Sequence, residues 1–491
     1  MAGFGFTPPN EPNDENKDSN EGTGQDSSGQ DSSGHDPRSG SEKNPNGNSA
    51  LNFGDVFKQF SNMGLNLQGL ISALSGQSTP TSLSRELIRD ISKKALAGHG
   101  ELPVSVSELV ATQEALNIAD LWLNEATVFP PLAMSDNCAL SRRDWIDTTL
   151  AGWEEIARPL VEAMSDAMTG MLKENLGENG ISIEDLGGLG GVDPNEQNQN
   201  RLNQFGFSFP GVEIPQSLLS SIMGTFMSTL ISTQLGQTIG NLATTVTGAN
   251  DVALPLTNIP LRKETRPALI PQNVEIWGSG LGIDPNEVRI YLALREVAAT
   301  RLFTNAPWLR EYIKSAISSY GKGIRVDITA ITEQAHEAMS SGDLDPANPE
   351  SLTLALSGGM FTPEETPAQR DALEKLETVL ALIDGWIDAV VTLAATNRLP
   401  ALVQLRETQL RRRATKSPTQ ELFSTLVGLE VSPRRSREAT SFWEKIVELR
   451  DIKTRDEIWD EAYLLPRADQ LGDAEAFLKS RTVPDDLSGL I

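Results

Sequence analysis

The chain is short of cysteine, histidine and positive charge: one cysteine, three histidines, and 41 basic residues against 67 acidic ones. A single cysteine, Cys138, excludes an intramolecular disulfide framework, and with no histidine close by it reads as a buried or incidental thiol and not a nucleophile. The N-terminus lacks a basic region followed by an apolar run and a cleavage site, so the expected compartment is the cytoplasm. The deficit of bases excludes a nucleic-acid surface, because a binder must neutralise phosphates with surplus Lys and Arg. Residues 1–50 hold nine acids and three bases, so only -6 of the formal net charge of -26 belongs to them. The remainder is itself acidic, which favours solubility and discourages contact with anionic membranes.

At 491 residues the chain can bury a sizeable core. Residues 1–50 are Asn, Asp, Ser, Gly and Pro with a short repeat between Gly24 and Gly34, and this composition predicts a disordered acidic tail. Phe4 and Phe6 stand ahead of the acidic run as an aromatic pair able to dock. An N-terminal helical region is expected over 51–175. It comprises an amphipathic helix over 51–74, then helices Leu83–Leu96, Ser107–Asn124, Ser141–Ala151 and Trp153–Leu172, the last interrupted by Pro159. Trp122, Trp145 and Trp153 are the candidate core anchors of these helices. Residues 176–208, with the glycine run Gly187–Gly191, form a flexible linker or insertion and lack the Lys-Ser/Thr of a phosphate loop.

From Ile214 to Asn250 no residue is charged. Gln234, Gln237 and Asn241 would be costly in hydrocarbon, so the segment is expected as a buried core helix and not a membrane span. Ser228, Ser232, Gly236 and Gly240 recur every four residues, which lets a neighbouring helix approach closely. Val252–Leu256 and Asn273–Trp277, separated by prolines, predict short edge strands. Asp284 as cap and Pro285 in the first turn then open a helix running to about Leu302.

On that helix Val288, Leu292, Arg295, Ala299 and Phe303 share one stripe, with Glu296 one residue round. A zinc-protease helix carries His-Glu-x-x-His, two imidazoles on one face and a glutamate that polarises water. Here Arg295 and Ala299 occupy the histidine places and Glu296 alone keeps its identity. Arginine stays protonated and has no lone pair to offer a metal. His35, His99 and His336 do not stand at ligand spacing from one another.

The segment Arg295–Arg310 resembles the signature of the type 2 zincin-like metallopeptidases of actinobacteria, and Leu376–Val391, Leu405–Arg413 and Leu426–Arg437 resemble later landmarks of that family. The resemblance implies a mainly α fold with a small β element, a zincin-like body over 209–480 and a zinc-dependent metalloprotease or hydrolase. It also implies a later helix supplying the third ligand, which matches Ile383–Ala389 and keeps Asp384 and Asp388. With the histidines gone, the expected protein lacks zinc catalysis and serves as a binding or scaffold pseudo-enzyme with a peptide or protein partner. The alternative is an active hydrolase with Glu296 as general base. No cofactor is expected, zinc being implied by the resemblance alone. Arg295 is expected in the place of the metal, paired with Glu296 or Asp384; an all-oxygen magnesium or calcium site of Glu296, Asp384 and Asp388 is the lesser reading. The basic cluster Arg406, Arg411, Arg412, Arg413, Lys416, Arg434, Arg435 and Arg437 is expected to pair with the body's carboxylates, gripping an acidic partner being the other use open to it.

Overall fold

Helix starts follow the capping chemistry of the sequence. Ser84 accepts from the Leu87 N–H to open α1 (Arg85–Ala97), and Ser105 forms a reciprocal capping box with Glu108 at the head of α2 (Val106–Leu123). The computed structural model describes residues 83–133, 137–176, 216–257, 266–326, 361–363, 366–415, 417–421 and 434–481. The acidic tail, Phe4 and Phe6, the 51–74 helix, the 176–208 connection beyond Leu176, His35, His336 and Lys416 lie outside them, Leu176 itself ending a helix. The chain divides into Met1–Asn52 and Phe53–Ile491, and every described residue belongs to the second unit.

Two helices expected between Ser141 and Leu172 are one, α3 (Arg142–Leu176), which continues through Pro159. Proline removes one helical hydrogen bond, but Trp153, Ile156, Leu160, Val161 and Met164 are buried on both sides of it, so tertiary packing holds the helix together. Gly152 is a contact and not a break: a Cβ there would overlap the Leu256 carbonyl. Trp145 and Trp153 anchor the core from this helix, their rings edge-on at 6.3 Å, while Trp122 is half-buried.

The uncharged segment forms α4 (Gln216–Leu242), and its small residues do what their spacing suggested. A Cβ on Gly240 would lie 2.7 Å from Ala95 Cβ and from the Ser92 carbonyl oxygen, and one on Gly236 would lie 2.9 Å from Ile91 Cβ. Helix α1 therefore packs directly on the α4 backbone.

Both expected edge strands fail. Val252–Leu256 is a turn with Ala253 at φ 58°, and Asn273–Trp277 lies inside α5 (Pro271–Gly278). Pro271 presets the first helical turn, and Val274 and Trp277, three apart, are buried on one face of the helix, a spacing that a strand would split between two faces. The strand element sits elsewhere: β1 (Ile324–Val326) pairs antiparallel with β2 (Phe361–Pro363).

Asp284 and Pro285 open α6 (Pro285–Asn305) as expected. From Tyr291 to Phe303 every residue of α6 is buried, so this helix is surrounded on all sides. Around it stand α2, α5, the long α8 (Pro367–Ala395) and α9 (Leu402–Thr415). Helix α7 (Leu309–Gly321) packs between α3 and α8, and α10 (Arg434–Leu449) lies along α8. Short α11 (Ile452–Asp456) and α12 (Ala474–Arg481) close the described fold, which is mainly α with a small β element. One described helix, α8, is long and apolar enough to cross a membrane, and 83% of its 18-residue apolar window is buried inside the fold.

Candidate functional site

The centre of α6 carries two adjacent ionisable residues that face different partners. Arg295 Nη2 donates to Asp384 Oδ1 on α8 at 2.7 Å, and Nη1 stands 3.7 Å from Asp388 Oδ1 one turn further on. Both aspartates also meet a second arginine from α9: Arg413 Nε lies 3.8 Å from Asp384 Oδ1, and Arg406 lies 2.9 Å from Asp388 Oδ2. Burial would lower the Arg295 pKa, but Asp384, Tyr291 and Asp388 more than offset it, so the guanidinium stays charged. Asp384 shows the same contest: burial would raise its pKa, while Arg413 and Arg295 hold it below the usual carboxylate value.

Glu296 is also buried, and no cation faces it among the described residues. Oε2 accepts from the Asn250 backbone N–H at 3.0 Å, and Oε1 accepts from Asn250 Nδ2 at 2.9 Å and from the Ala268 N–H at 3.2 Å. Gly248 leaves the space for this carboxyl, since a Cβ there would overlap Glu296 Oε2. Burial pushes the carboxyl up to about 8; the three N–H donors pull the other way without cancelling it, and Asp251 adds to the rise. Asp251 itself accepts from Thr247 and pairs with Arg413 at 2.9 Å.

The structure thus joins Arg295 to Asp384, as one of the two expected pairings had it, and not to Glu296. It does not gather Glu296, Asp384 and Asp388: the aspartates face arginines and the glutamate faces amide groups. Ala299 is buried and lines, with Arg295, Glu296, Asn250 and Asp251, a cavity of about 10 Å³, room for one water molecule. His99 sits in the turn after α1, where its carbonyl faces Arg142. Cys138 is buried. Four residues of the basic cluster pair with carboxylates: Arg411 with Glu407, Arg413 with Asp251, Arg435 with Glu374, and Arg406 with Asp388 and Glu444. Asn250, Asp251 and Arg413 belong to the site although sequence reasoning did not place them there. The one local signal was that the uncharged run ends at Asn250 and Asp251.

These residues do not fit a zinc ion. Where a zinc helix needs two imidazoles stand a protonated guanidinium, already bound to the aspartate opposite, and a methyl group. Among the described residues no three His, Cys, Asp or Glu side chains come together as metal ligands do.

Fold and site define a class: a helical body around one helix buried from Tyr291 to Phe303, whose Arg295 meets acids from a second long helix. A crystal structure from Chloroflexus aurantiacus, described as "a putative hydrolase with a novel fold", shares this fold. It is 14% identical, with a TM-score of 0.50, and the match covers 82% of this chain and 100% of that one. The family model for zincin-like metallopeptidases matches residues 85–478, and the chain belongs to that family. No curated protein matches the sequence.

Proposed function

We propose that this chain is a metal-free member of the zincin-like metallopeptidase family, a pseudo-enzyme that works in the cytoplasm by binding a peptide or protein. The observation that carries this reading is the 2.7 Å ion pair of Arg295 with Asp384, which sets a fixed positive charge where relatives with an intact motif would hold the metal. Removing either partner would strand a buried charge, so the pair sustains itself without zinc. The adjoining cavity of about 10 Å³ supports the same reading, having room for one water beside the ion pair.

The second reading, a hydrolase with Glu296 as base, draws on the carboxyl's place beside that cavity. A carboxyl with a pKa of about 8 is mostly protonated at neutral pH, and both its oxygens are engaged by donors. It is poorly placed to take a proton from water.

Calorimetric titration with zinc, with a peptidase assay beside it, separates the two. The parent is expected to show no binding at micromolar zinc, and a variant with Arg295→His and Ala299→His to gain it, with Asp384 as third ligand. Peptide hydrolysis by the parent that Glu296→Gln abolishes would support the hydrolase instead.

A further inference from the structure

Between the end of α5 and the last turn of α9 lies a cleft of about 440 Å³, a size suited to a ligand. Three successive arginines, Arg411, Arg412 and Arg413, stand on its wall. Arg411 pairs with Glu407 at 2.7 Å and Arg413 with Asp251 at 2.9 Å. Arg412 differs: no carboxylate lies within ion-pair distance of it among the described residues. Its guanidinium stacks 4.5 Å from the centroid of the Trp277 ring, and Nη2 donates to the Trp277 carbonyl oxygen at 2.7 Å.

The stack and the single anchored N–H hold the planar group in one orientation and leave its remaining donors without a described protein acceptor. That is a pre-organised fork for a carboxylate. Beside it Ile276, 55% exposed, offers an apolar contact on the same cleft. The acids on the wall are Asp251, already held by Arg413 and Thr247, and Glu421. Desolvation lowers the Arg412 pKa below the usual arginine value. A chain of net charge -26 repels a polyanion such as nucleic acid, whereas one or two carboxylates flanked by apolar groups fit a local cation beside an isoleucine.

We propose that this cleft binds an acidic peptide segment, with one carboxylate bidentate on Arg412 and a neighbouring apolar side chain against Ile276. The proposal rests on the reading of the chain as a binding protein but concerns different residues from the Arg295 site.

The test is fluorescence anisotropy with a short labelled peptide of alternating glutamate and leucine, beside its glutamine counterpart. The glutamate peptide should bind at least about tenfold more tightly, the contribution of a charge-assisted hydrogen-bonded pair, and added salt should weaken it. Arg412→Gln should lose about tenfold in affinity with an unchanged melting temperature, and Arg412→Lys should recover part of it. Arg435→Gln, outside the cleft, should bind like the parent. Equal affinity for the two peptides, an Arg412→Gln variant that binds like the parent, or no binding of the glutamate peptide would each overturn the proposal. Zinc found in the same parent preparation would sink the metal-free reading while leaving the contrast between peptides intact.

Discussion

Replacing Arg295 with alanine removes a guanidinium that is 8% exposed and bound to Asp384 at 2.7 Å. Loss of one partner from a buried pair costs about 3 to 5 kcal/mol, because the surviving charge has neither water nor counter-ion. Here Arg413 stays 3.8 Å from Asp384, and Asp388 keeps Arg406 at 2.9 Å, so the expected loss lies at the lower end, about 3 kcal/mol. The double variant Arg295→Met with Asp384→Leu should recover much of it, since Arg413 retains Asp251 and no charge is stranded. Arg295→Met with Glu296→Leu should recover nothing, because that change also leaves the Asn250 and Ala268 N–H groups without their acceptor. Urea unfolding followed by tryptophan fluorescence, with the slope checked for constancy, yields all the free energies and hence the coupling between the two sites. An Arg295→Ala variant within about 1 kcal/mol of the parent, or the larger recovery in the Glu296 double, would refute the reasoning.

Glu296 imposes a pH dependence of definite sign. Its pKa rises from 4.5 to about 8 on folding, so the native state holds the proton more tightly. The resulting stability is full below pH 4.5 and declines by up to about 1.4 kcal/mol per pH unit as pH approaches 8. Glu296→Gln should flatten that decline, and parallel pH profiles for parent and variant would contradict it. Gly240→Val should cost about 1 to 3 kcal/mol through overpacking against Ala95 and Ser92, measured as a fall in melting temperature; an unchanged melt would mean that α1 and α4 do not press together there.

Much of the fold was legible because helix starts are written locally. Ser105 with Glu108, and Asp284 with Pro285, open helices where capping chemistry says they should. The four-residue spacing of Gly236 and Gly240 likewise announced a close neighbour. What local pattern could not supply was tertiary context. Nothing within a few residues of Pro159 tells that buried side chains on both sides carry the helix through it. The stripe on α6 was readable, yet the burial of Glu296 on another face was not, since it depends on Asn250 and Ala268 arriving from loops. Asp251 reaches the site through a turn that places Ala253 in the left-handed region, a conformation that costs an L-residue about 1 to 2 kcal/mol and that no periodicity betrays. The pairing of Arg295 with Asp384 spans 89 residues of sequence, and only the likeness of both segments to one family brought them side by side beforehand.

The central claim is that the charge at Arg295 stands in for a metal, and the zinc content of the full-length protein tests it most directly. Protein purified without chelators and dialysed against metal-free buffer should contain zinc far below one atom per chain by elemental analysis. One zinc per chain surviving that dialysis would contradict the account.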